Sequence, residues 1–355
     1  MSTYLITGAT SGLGLQVALQ LVRQGGNRLI LPVREHARGE ALRQRLEVVD
    51  KVQVHTPLLD LTSLRNVVVF LENFNASDPI ALDGVLLNAG TQSANRIEFT
   101  EDGYETTFAV NHLANYLLMQ GLLRHFSSRA VAGWTASGAH DPKERSARLS
   151  GFRGAQYTGV AKLAKGDYGE KVAATQACRD AYATSKLCDI VSARIFAQRY
   201  PRVASFFSFD PGLMPGTGLA RNHSPAAQWV WRNVLPRLAP ILPGTSTPAK
   251  SAALLAKLLT GQLCGSYNGA YFNYTGKQVE PARVATEPWV AQDLAAGSER
   301  LLFSSLRTLD EREQPHSNSD QGAPRSVADV TRRAATPPQG NARAESNNLS
   351  TGTHS

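Results

Sequence analysis

Short apolar runs alternate with longer amphipathic segments from the first residues to about Phe209. A short apolar run bounded by polar residues is typical of a buried strand, whereas apolar residues repeating about every three to four positions are typical of a helix packed on one face. The pattern predicts strands at Tyr4 to Thr7, Arg28 to Val33, Val52 to Leu58, Gly84 to Leu87, Ala130 to Thr135 and Ala204 to Phe209. It predicts helices that begin near Leu13, Glu35, Leu61, Glu101 and Arg179.

The alternation of strands and helices predicts an α/β fold with a single doubly wound parallel sheet. Asp60 and Ser63 precede the third helix and are suited to cap it. Crossovers between parallel strands are right-handed, so the carboxyl ends of the strands meet at one edge, where such sheets bind ligands. We therefore expect one domain over residues 1–305, with its chemistry in the loops that follow the strands.

Two stretches interrupt this alternation. Residues 140–180 begin with a Gly-, Lys-, Arg- and Ser-rich segment that is too long for an ordinary connection, and residues 212–247 combine large apolar side chains with prolines. We interpret both as insertions that shape a pocket near the active site. The second has two interpretations: a core-packing helix and loop, or an apolar flap over a lipophilic substrate or against a membrane surface.

Residues 306–355 differ in composition from the rest of the chain. From Arg307 onwards there is no aromatic residue, and the large aliphatic residues are Leu309, Val327, Val330 and Leu349. Such a segment cannot bury enough apolar surface to offset the entropy that ordering would cost. We therefore predict a disordered C-terminal tail that carries no chemistry.

Composition and charge limit the classes of protein to which this chain can belong. Hydrophobic residues make up 42% and charged residues 19%, which is near the globular average and excludes a fibrous or wholly disordered chain. The net charge of +8 favours anionic ligands or membrane surfaces. Lys and Arg are scattered rather than clustered, so the charge does not indicate a nucleic-acid binder.

The cysteines and the lengths of the apolar runs bear on compartment and metal content. Cys178, Cys188 and Cys264 form no Cys-x-x-Cys pair and are odd in number, so we expect a reducing compartment, no disulfide framework and no metal site. No run reaches the roughly 18 to 20 apolar residues of a membrane span. The strand at Tyr4 leaves no room for a signal peptide, and we predict a cytoplasmic protein.

A glycine-rich segment, Thr7 to Gly14, lies between the first predicted strand and the first helix. Glycines there let backbone amides approach a pyrophosphate at the positive end of the helix. The spacing Gly-x-x-x-Gly-x-Gly differs from the more common dinucleotide fingerprint, and a tight structural turn is the alternative. The position favours dinucleotide binding. The candidate contacts are Gly8, Ser11, Gly12, Leu13 and Gly14.

The second predicted strand ends in Leu31-Pro32-Val33-Arg34. A cofactor with a free ribose 2′-hydroxyl usually pairs with an acidic residue there, whereas Arg34 offers a guanidinium suited to a 2′-phosphate. The sequence therefore favours NADP(H) over NAD(H), with Arg38 as a second candidate. The alternative is that Arg34 is an ordinary exposed side chain.

Two further polar motifs have weaker signals when each is taken alone. Asn88-Ala89-Gly90 follows the fourth predicted strand, where a turn of small residues would let the chain pass close to a bound dinucleotide, although a plain turn is the alternative. Asn111 lies within a predicted helix, in which its amide is a poor helix former. By itself such a residue is more often a satisfied polar group than a catalytic one.

Tyr182 and Lys186 are the most informative pair, since a spacing of four residues places both side chains on one face of a helix. A phenol has a pKa of about 10, so a nearby ammonium and a cationic nicotinamide ring are needed to stabilise its phenolate. Tyr182 would then serve as general acid or base. Ser137, at the end of the fifth predicted strand, could hydrogen-bond the substrate oxygen as charge develops on it.

Together these motifs resemble the short-chain dehydrogenase/reductase family over residues 2 to about 303. The matching motifs are Thr7 to Gly14, Asp60-Leu61, Asn88-Ala89-Gly90, Asn111, Ser137, Tyr182 with Lys186, and Pro211-Gly212. The resemblance implies a Rossmann-like domain with a seventh strand near Gly269 to Asn273. It also implies a catalytic tetrad of Asn111, Ser137, Tyr182 and Lys186, in which Lys and Asn refill the proton through water. The further cofactor contacts that it implies are Asp60, Leu61, Asn88, Ala89, Gly90, Tyr182, Lys186, Pro211, Gly212 and Thr217.

Within the family, several segments resemble the branch that holds retinol-dehydrogenase-like enzymes and light-dependent protochlorophyllide reductases. These segments are Val110 to Leu113, Ser137 to His140, Ser185 to Cys188 and Pro211 to Asn222. The protochlorophyllide reductases usually carry Cys just after the Pro-Gly and Lys two residues after the Tyr. This chain has Leu213 and Thr184 at those positions, which argues against photochemical reduction of a pigment double bond.

The sequence thus predicts an NADP(H)-dependent oxidoreductase that acts on the carbonyl or alcohol of a lipophilic small molecule. The alternatives are a protochlorophyllide-reductase-like double-bond reductase and, in another class, an NADP(H)-sensing regulatory protein without turnover. The intact proton-transfer residues argue against a sensor, which has no physical need of them. We expect no nucleic-acid partner, and we leave open a peripheral membrane contact and a homo-oligomer.

Overall fold

The computed structural model describes residues 1–47, 52–77, 80–214, 244–263 and 268–313. Its strands are β1 (Ser2–Ile6), β2 (Asn27–Ile30), β3 (Gln53–His55), β4 (Leu82–Leu87), β5 (Phe126–Thr135), β6 (Ser205–Phe209) and β7 (Ala270–Phe272). They form one parallel sheet in the order β3-β2-β1-β4-β5-β6-β7. The direction of winding reverses between β1 and β4, and this switch point is where open α/β sheets bind ligands.

The predicted strands are all present, and the seventh lies where the family resemblance placed it. Strand β3 is shorter than the predicted run Val52 to Leu58 because Pro57 has no N–H to donate to the ladder. The pairing nevertheless continues past β3, since the carbonyl of Pro57 accepts a hydrogen bond of 2.9 Å from the Val33 amide. The strand ends near the switch point are therefore held in register.

The helices connect the strands. They are α1 (Gly12–Gln24), α2 (His36–Leu46), α3 (Leu64–Ala76), α4 (Thr106–Phe108, the π-helical turn Ala109–Leu113 and Ala114–Leu122), α5 (Arg145–Leu149), α6 (Val160–Ala164), α7 (Ala174–Arg199), α8 (Pro248–Leu259) and α9 (Pro288–Glu313). Of the two proposed caps of α3, Ser63 is the N-cap, and its hydroxyl accepts a hydrogen bond from the Asn66 amide at 3.3 Å.

Two predicted helix starts are wrong by five residues. Helix α4 begins at Thr106 rather than near Glu101, because Gly103, at a φ of 79°, closes a turn and the Glu105 carboxylate then caps the helix. Helix α7 begins at Ala174 rather than near Arg179. The additional turn of α7 exposes Ala174 and Thr175, so the apolar pattern gives no sign of it.

Apolar side chains cover both faces of the sheet. Helices α1, α2 and α8 bury one layer against it, including Val17, Leu42 and Leu255. Helices α3, α4, α7 and α9 bury the other, including Leu71 and Leu117. The prediction of a single doubly wound parallel sheet is thus confirmed. Among the described residues no helix has both the length and the apolarity to cross a membrane.

The first predicted insertion is more regular than its composition suggests. It contains α5 and α6, and it is tied to α9 by the Asp293 carboxylate, which accepts hydrogen bonds from the Tyr157 hydroxyl (2.8 Å) and the Val160 amide (3.0 Å). Helices α5 and α6 have few buried apolar residues, so the apolar pattern of the sequence did not predict them. Residues 215–243 of the second predicted insertion lie outside the described part, including the apolar segment assigned to a flap.

The predicted start of the disordered tail is wrong, since α9 continues to Glu313. Leu302 and Leu306 are buried in the core, and Leu309 packs against it. Those three side chains recur at helical spacing and together form an apolar face, which the low overall content of apolar residues did not indicate. Residues 314–355 lie outside the described part of the chain.

Candidate active site

The loop between β1 and α1 is shaped by close packing against the end of β4. A Cβ atom on Gly14 would lie 2.5 Å from the Gly8 oxygen and 2.6 Å from Asn88 Nδ2, and one on Gly8 would lie 2.9 Å from Ala89 Cα. At Gly12, which has a φ of 57°, no atom lies within 4 Å of the position that a Cβ atom would take. Gly8 and Gly14 therefore allow the fold to pack, whereas Gly12 borders open space.

The first turn of α1 offers free hydrogen-bond donors beside this space. Ser11 occupies the N-cap position, and its side chain makes no capping hydrogen bond. The first amides of a helix have no partner within the helix and attract anions together with the helix dipole. This end of α1 is thus suited to a phosphate group, as the sequence predicts.

Asn88 joins the ends of three strands. Its Nδ2 donates to the Thr7 oxygen (3.0 Å) and the Gly8 oxygen (3.3 Å), and its Oδ1 accepts from the Thr135 hydroxyl at 3.3 Å. The Thr7 hydroxyl in turn accepts from the amides of Asn88 and Ala89, each at 3.0 Å. Sequence reasoning did not assign a role to either threonine, because a hydroxyl at a strand end has no distinctive spacing.

The charged groups after β2 and β3 differ in whether they have hydrogen-bond or ion-pair partners among the described residues. Arg38 forms an ion pair with Glu35 at 3.2 Å, whereas Arg34 is exposed and has no hydrogen-bond or ion-pair partner among the described residues. Asp60 Oδ1 accepts from the Thr62 amide (3.0 Å) and hydroxyl (2.9 Å), so it fixes the turn before α3. Of these two arginines, Arg34 is therefore the one whose guanidinium is available to a ligand.

Tyr182 and Lys186 lie together on α7 beside the end of β5. The Lys186 ammonium lies 5.7 Å from the centroid of the Tyr182 ring, and it donates to the Thr135 carbonyl at 2.7 Å. It also pairs with Asp189 at 3.0 Å, and both side chains of this ion pair are almost completely buried. Sequence reasoning missed Asp189, although its spacing of three residues from Lys186 on a helix was a usable signal.

The surroundings of Tyr182 shift its pKa in opposing directions. Burial raises the pKa of the phenol, the Lys186 charge and a hydrogen bond with the Ser137 side chain lower it, and the charges of Asp189 and Asp210 raise it, with a net increase. Burial and the Lys186 charge act oppositely on Asp189, whose pKa rises to about 6. The structure thus brings Ser137, Tyr182 and Lys186 together, as expected of three members of the tetrad.

Asn111, the fourth predicted member, lies in the π-helical turn of α4. Its Nδ2 donates to the Ser185 hydroxyl (2.9 Å) and the Thr91 oxygen (3.0 Å), and its Oδ1 accepts from the Thr91 amide at 2.7 Å. Its backbone carbonyl accepts from Asn115 Nδ2 at 3.0 Å. Asn111 therefore fixes the loop after β4 to α7, and its part in a proton relay stays a prediction.

The segment Asp210-Pro211-Gly212, which follows β6, also lines the site. The buried Asp210 carboxylate accepts a hydrogen bond from the Gly212 amide at 2.9 Å, and burial raises its pKa to about 6. Gly212, at a φ of 73°, packs against the Tyr274 ring. Thr217 lies outside the described residues.

These groups meet in one cleft of about 980 Å³ along the carboxyl edge of the sheet. The predicted site residues that line it are Gly8, Ser11, Leu13, Arg34, Asp60, Leu61, Asn88, Ala89, Gly90, Ser137, Tyr182, Lys186, Pro211 and Gly212. Gly12, Gly14 and Asn111 do not line it, although Gly12 lies between two residues that do. Lining residues that sequence reasoning did not identify include Glu144, Phe152, Arg179, Asp210 and Tyr274. Among the described residues there is no cluster of His, Cys, Asp or Glu side chains that could hold a metal ion.

Solved structures with a similar fold include an uncharacterised protein of Mycobacterium paratuberculosis, with a TM-score of 0.56, 23% identity and coverage of 85% of this chain and 94% of that one. Another is a short chain dehydrogenase of Escherichia coli CFT073 complexed with NADPH, with a TM-score of 0.53, 21% identity and coverage of 77% and 96%. These likenesses support the fold.

Sequence comparisons identify the family. The family model for short chain dehydrogenase matches residues 2–133. Protochlorophyllide reductase of Pisum sativum is 28% identical over 320 residues, which are 82% of this chain and 77% of the relative. The WW domain-containing oxidoreductase of Drosophila melanogaster is 30% identical over 304 residues, which are 84% of this chain and 68% of the relative. The family expected from the motifs is confirmed: the chain belongs to the short-chain dehydrogenase/reductase family of oxidoreductases.

Proposed function

We propose that this protein is an NADP(H)-dependent oxidoreductase that interconverts the carbonyl and the alcohol of a lipophilic small molecule. The observation that carries the proposal is the grouping of Ser137, Tyr182 and Lys186 in one cleft with the glycine loop. A phenol, an ammonium and a hydroxyl at the end of a nucleotide-binding cleft form a set suited to proton transfer at a carbonyl oxygen.

The residues of the cleft fit a nicotinamide dinucleotide. The pyrophosphate would lie in the open space at Gly12 and bind the first amides of α1, which the Ser11 side chain leaves without a capping hydrogen bond. The Arg34 guanidinium, unpartnered among the described residues, would bind the 2′-phosphate of NADP(H), where NAD(H) has only a hydroxyl. The NADPH complex of the similar Escherichia coli structure agrees with this choice of cofactor.

In the proposed reaction the side chains of this chain move and hold one proton. The glycine loop and the start of α1 would hold a nicotinamide dinucleotide, which would supply or accept the hydride at the substrate carbon. Tyr182 gives its proton to the substrate oxygen as negative charge develops there, and the Ser137 hydroxyl donates a hydrogen bond to the same oxygen. The Lys186 ammonium stabilises the phenolate that remains. In the opposite direction the phenolate accepts the proton of the alcohol.

A lipophilic substrate agrees with the apolar groups at the catalytic end of the cleft. Phe152 packs against Tyr182 with ring centroids 5.7 Å apart, and Leu213 and Met214 line the same cleft. A contact between a membrane surface and the second insertion, residues 212–247, stays a prediction, because residues 215–243 lie outside the described part. A homo-oligomer and the cytoplasmic location also stay predictions.

Reduction of a carbon–carbon double bond is the second candidate, because the matched relatives include protochlorophyllide reductases. Two features of this chain disfavour it. Leu213 lines the cleft where those enzymes usually carry Cys, and its alkyl side chain has no proton to donate. Thr184, at the position of their Lys, is buried and accepts a hydrogen bond of 2.8 Å from the Gln156 amide.

The test is titration with NADPH and NADH by fluorescence, followed by NADPH oxidation with retinal-like, steroid and aliphatic carbonyls. We expect oxidation with at least one carbonyl, and we expect Tyr182→Phe to bind NADPH normally while losing most turnover, by roughly a hundredfold or more. Near-normal turnover by Tyr182→Phe would contradict the assigned proton donor. NADPH binding without oxidation of any carbonyl would favour the double-bond reductase or the sensor.

A further inference from the structure

Arg179 is a partly buried cation in the cleft with no role in the chemistry above. It lies on α7, three residues before Tyr182, and its side chain lines the cleft. Within the described ranges its guanidinium has neither a hydrogen bond nor an ion pair. A guanidinium presents five N–H donors in a planar fork, and partial burial makes such donors costly to leave without a partner.

Asp180, which follows Arg179 in the sequence, and two carboxylates that line the same cleft accept hydrogen bonds from other groups. Asp180 accepts two hydrogen bonds from Arg153, at 3.0 and 2.6 Å. Glu144, which lines the same cleft, accepts from the Ser146 hydroxyl at 2.7 Å, and Asp210 accepts from the Gly212 amide at 2.9 Å. Residues 215–243, whose structure is outside the described part, contain three arginines and no Asp or Glu, so they bring no carboxylate to it.

The backbone leaves space for this guanidinium. Gly151, at a φ of 83°, is placed so that a Cβ atom would lie 3.1 Å from both Cζ and Nε of Arg179. The next residue, Phe152, turns its ring toward Tyr182. Arg179 and Phe152 therefore line the cleft close to Tyr182. The glycine loop and Arg34 line the same cleft at the ends of β1 and β2.

We propose that Arg179 binds a carboxylate of the substrate, so that the substrates are oxo acids: molecules with a reacting carbonyl, an apolar body and a carboxylate. The inference rests on the proposed function, because it takes Tyr182 as the site of the carbonyl. Side chains three residues apart on a helix have Cβ atoms about 5 to 6 Å apart, so the two groups can bind one small molecule. The guanidinium matches a carboxylate through two parallel hydrogen bonds.

The experiment compares terephthalaldehydic acid with its methyl ester, two aldehydes that differ in one negative charge. NADPH oxidation is measured with the full chain, with Arg179→Gln and with Arg148→Gln. Arg148 is a matched control because it is an exposed arginine on the adjacent α5 that does not line the cleft. Thermal unfolding and the Kd for NADPH are measured for each variant, and both are expected to stay unchanged.

We expect the full chain to prefer the acid over the ester in kcat/KM by about tenfold or more. Arg179→Gln should abolish that preference, chiefly by raising KM for the acid, and leave the ester unaffected. Arg148→Gln should retain the preference, and Arg179→Lys should retain part of it, since an ammonium keeps the charge but not the fork. Equal use of acid and ester by the full chain would overturn the oxo-acid proposal and leave the reductase proposal intact.

If neither aldehyde oxidises NADPH, calorimetry of both compounds with the NADPH-loaded protein separates the two proposals. Binding of the acid but not the ester, lost in Arg179→Gln, would support the carboxylate site while the reductase assignment fails for these carbonyls. Absence of any charge-dependent binding would overturn the carboxylate site.

Discussion

The pKa of Tyr182 depends on two neighbouring charges, those of the Lys186 ammonium and the Asp189 carboxylate. Its ammonium lies near the Tyr182 ring, but it also forms a buried ion pair with Asp189 at 3.0 Å. A buried carboxylate beside the ammonium offsets part of the field that would otherwise favour the Tyr182 phenolate. Accordingly, burial and the Asp189 charge raise the pKa of Tyr182, and the Lys186 charge lowers it.

Asp189→Asn should therefore lower the pKa of Tyr182. The substitution removes a negative charge that raises this pKa and leaves the Lys186 charge that lowers it. The phenolate needed for alcohol oxidation would then be present at lower pH, so the ascending limb of the pH–rate profile for oxidation should move to lower pH. For carbonyl reduction, the descending limb should move in the same direction.

The control for Asp189→Asn is Asp180→Asn, which also removes a buried carboxylate from α7. Asp180 pairs with Arg153 and is not among the groups that shift the pKa of Tyr182. It should lower stability without moving either limb of the profile. Identical pH profiles for the parent and Asp189→Asn would show that the carboxylate does not act on Tyr182.

Cofactor choice is a second property of single residues. Arg34→Ala should weaken NADPH binding by about tenfold to a hundredfold, the value of a charge-assisted hydrogen bond, and should leave NADH binding nearly unchanged. Arg38→Ala is the matched control, because Arg38 lines the same cleft but is paired with Glu35. Fluorescence titration measures all four affinities. Equal losses for the two nucleotides would refute the 2′-phosphate contact.

At the scale of elements, helix α1 carries a glycine in the left-handed region near each end. Gly12 (φ of 57°) begins the helix next to Ser11, which lines the cleft, and Gly25 (φ of 70°) caps its other end. Neither has an atom within 4 Å of a Cβ position. Alanine at either site would be strained, because L residues rarely adopt a positive φ. Only the methyl group at Gly12 would enter the space assigned to a pyrophosphate.

We therefore expect Gly12→Ala and Gly25→Ala both to lower the thermal stability of the protein and to differ in nucleotide binding. Gly12→Ala should weaken NADPH binding at least about tenfold, whereas Gly25→Ala should leave its Kd unchanged. Differential scanning calorimetry and fluorescence titration measure the two effects. Equal NADPH affinities in the two variants would place the pyrophosphate elsewhere.

The elements also show which parts of the site a sequence can predict. The glycine loop, Tyr182 and Lys186 were predictable because each depends on spacing along one strand end or one helix face. Thr135 and Asp210 were not, since their partners are distant in the sequence: the Thr135 carbonyl accepts from Lys186 on α7, and the Asp210 carboxylate accepts from the Gly138 backbone after β5. Arg179 has the right spacing from Tyr182, but the availability of its guanidinium is visible only once its described neighbours are placed.

For the whole molecule, the doubly wound sheet followed from the alternation of elements, whereas the C-terminal limit of the domain did not. Composition after Arg307 is polar, yet the packing of α9 depends on single apolar residues one turn apart. Helix α9 also supports the site from behind: the Ser298 hydroxyl lies 2.7 Å from Nε2 of the buried His112, in the π-helical turn that holds Asn111. The last described helix is therefore part of the catalytic domain.

Leu306, which follows the predicted domain boundary, tests this assignment. Its side chain is buried in the core, so Leu306→Ala should lower the free energy of unfolding by about 2 to 4 kcal/mol. Phe303→Ala is the control on the same helix, since Phe303 is 57% exposed and should change stability by less than about 1 kcal/mol. Urea unfolding of the full chain measures both values. A small effect of Leu306→Ala would mean that α9 does not pack on the domain in solution, and the predicted boundary at 305 would stand.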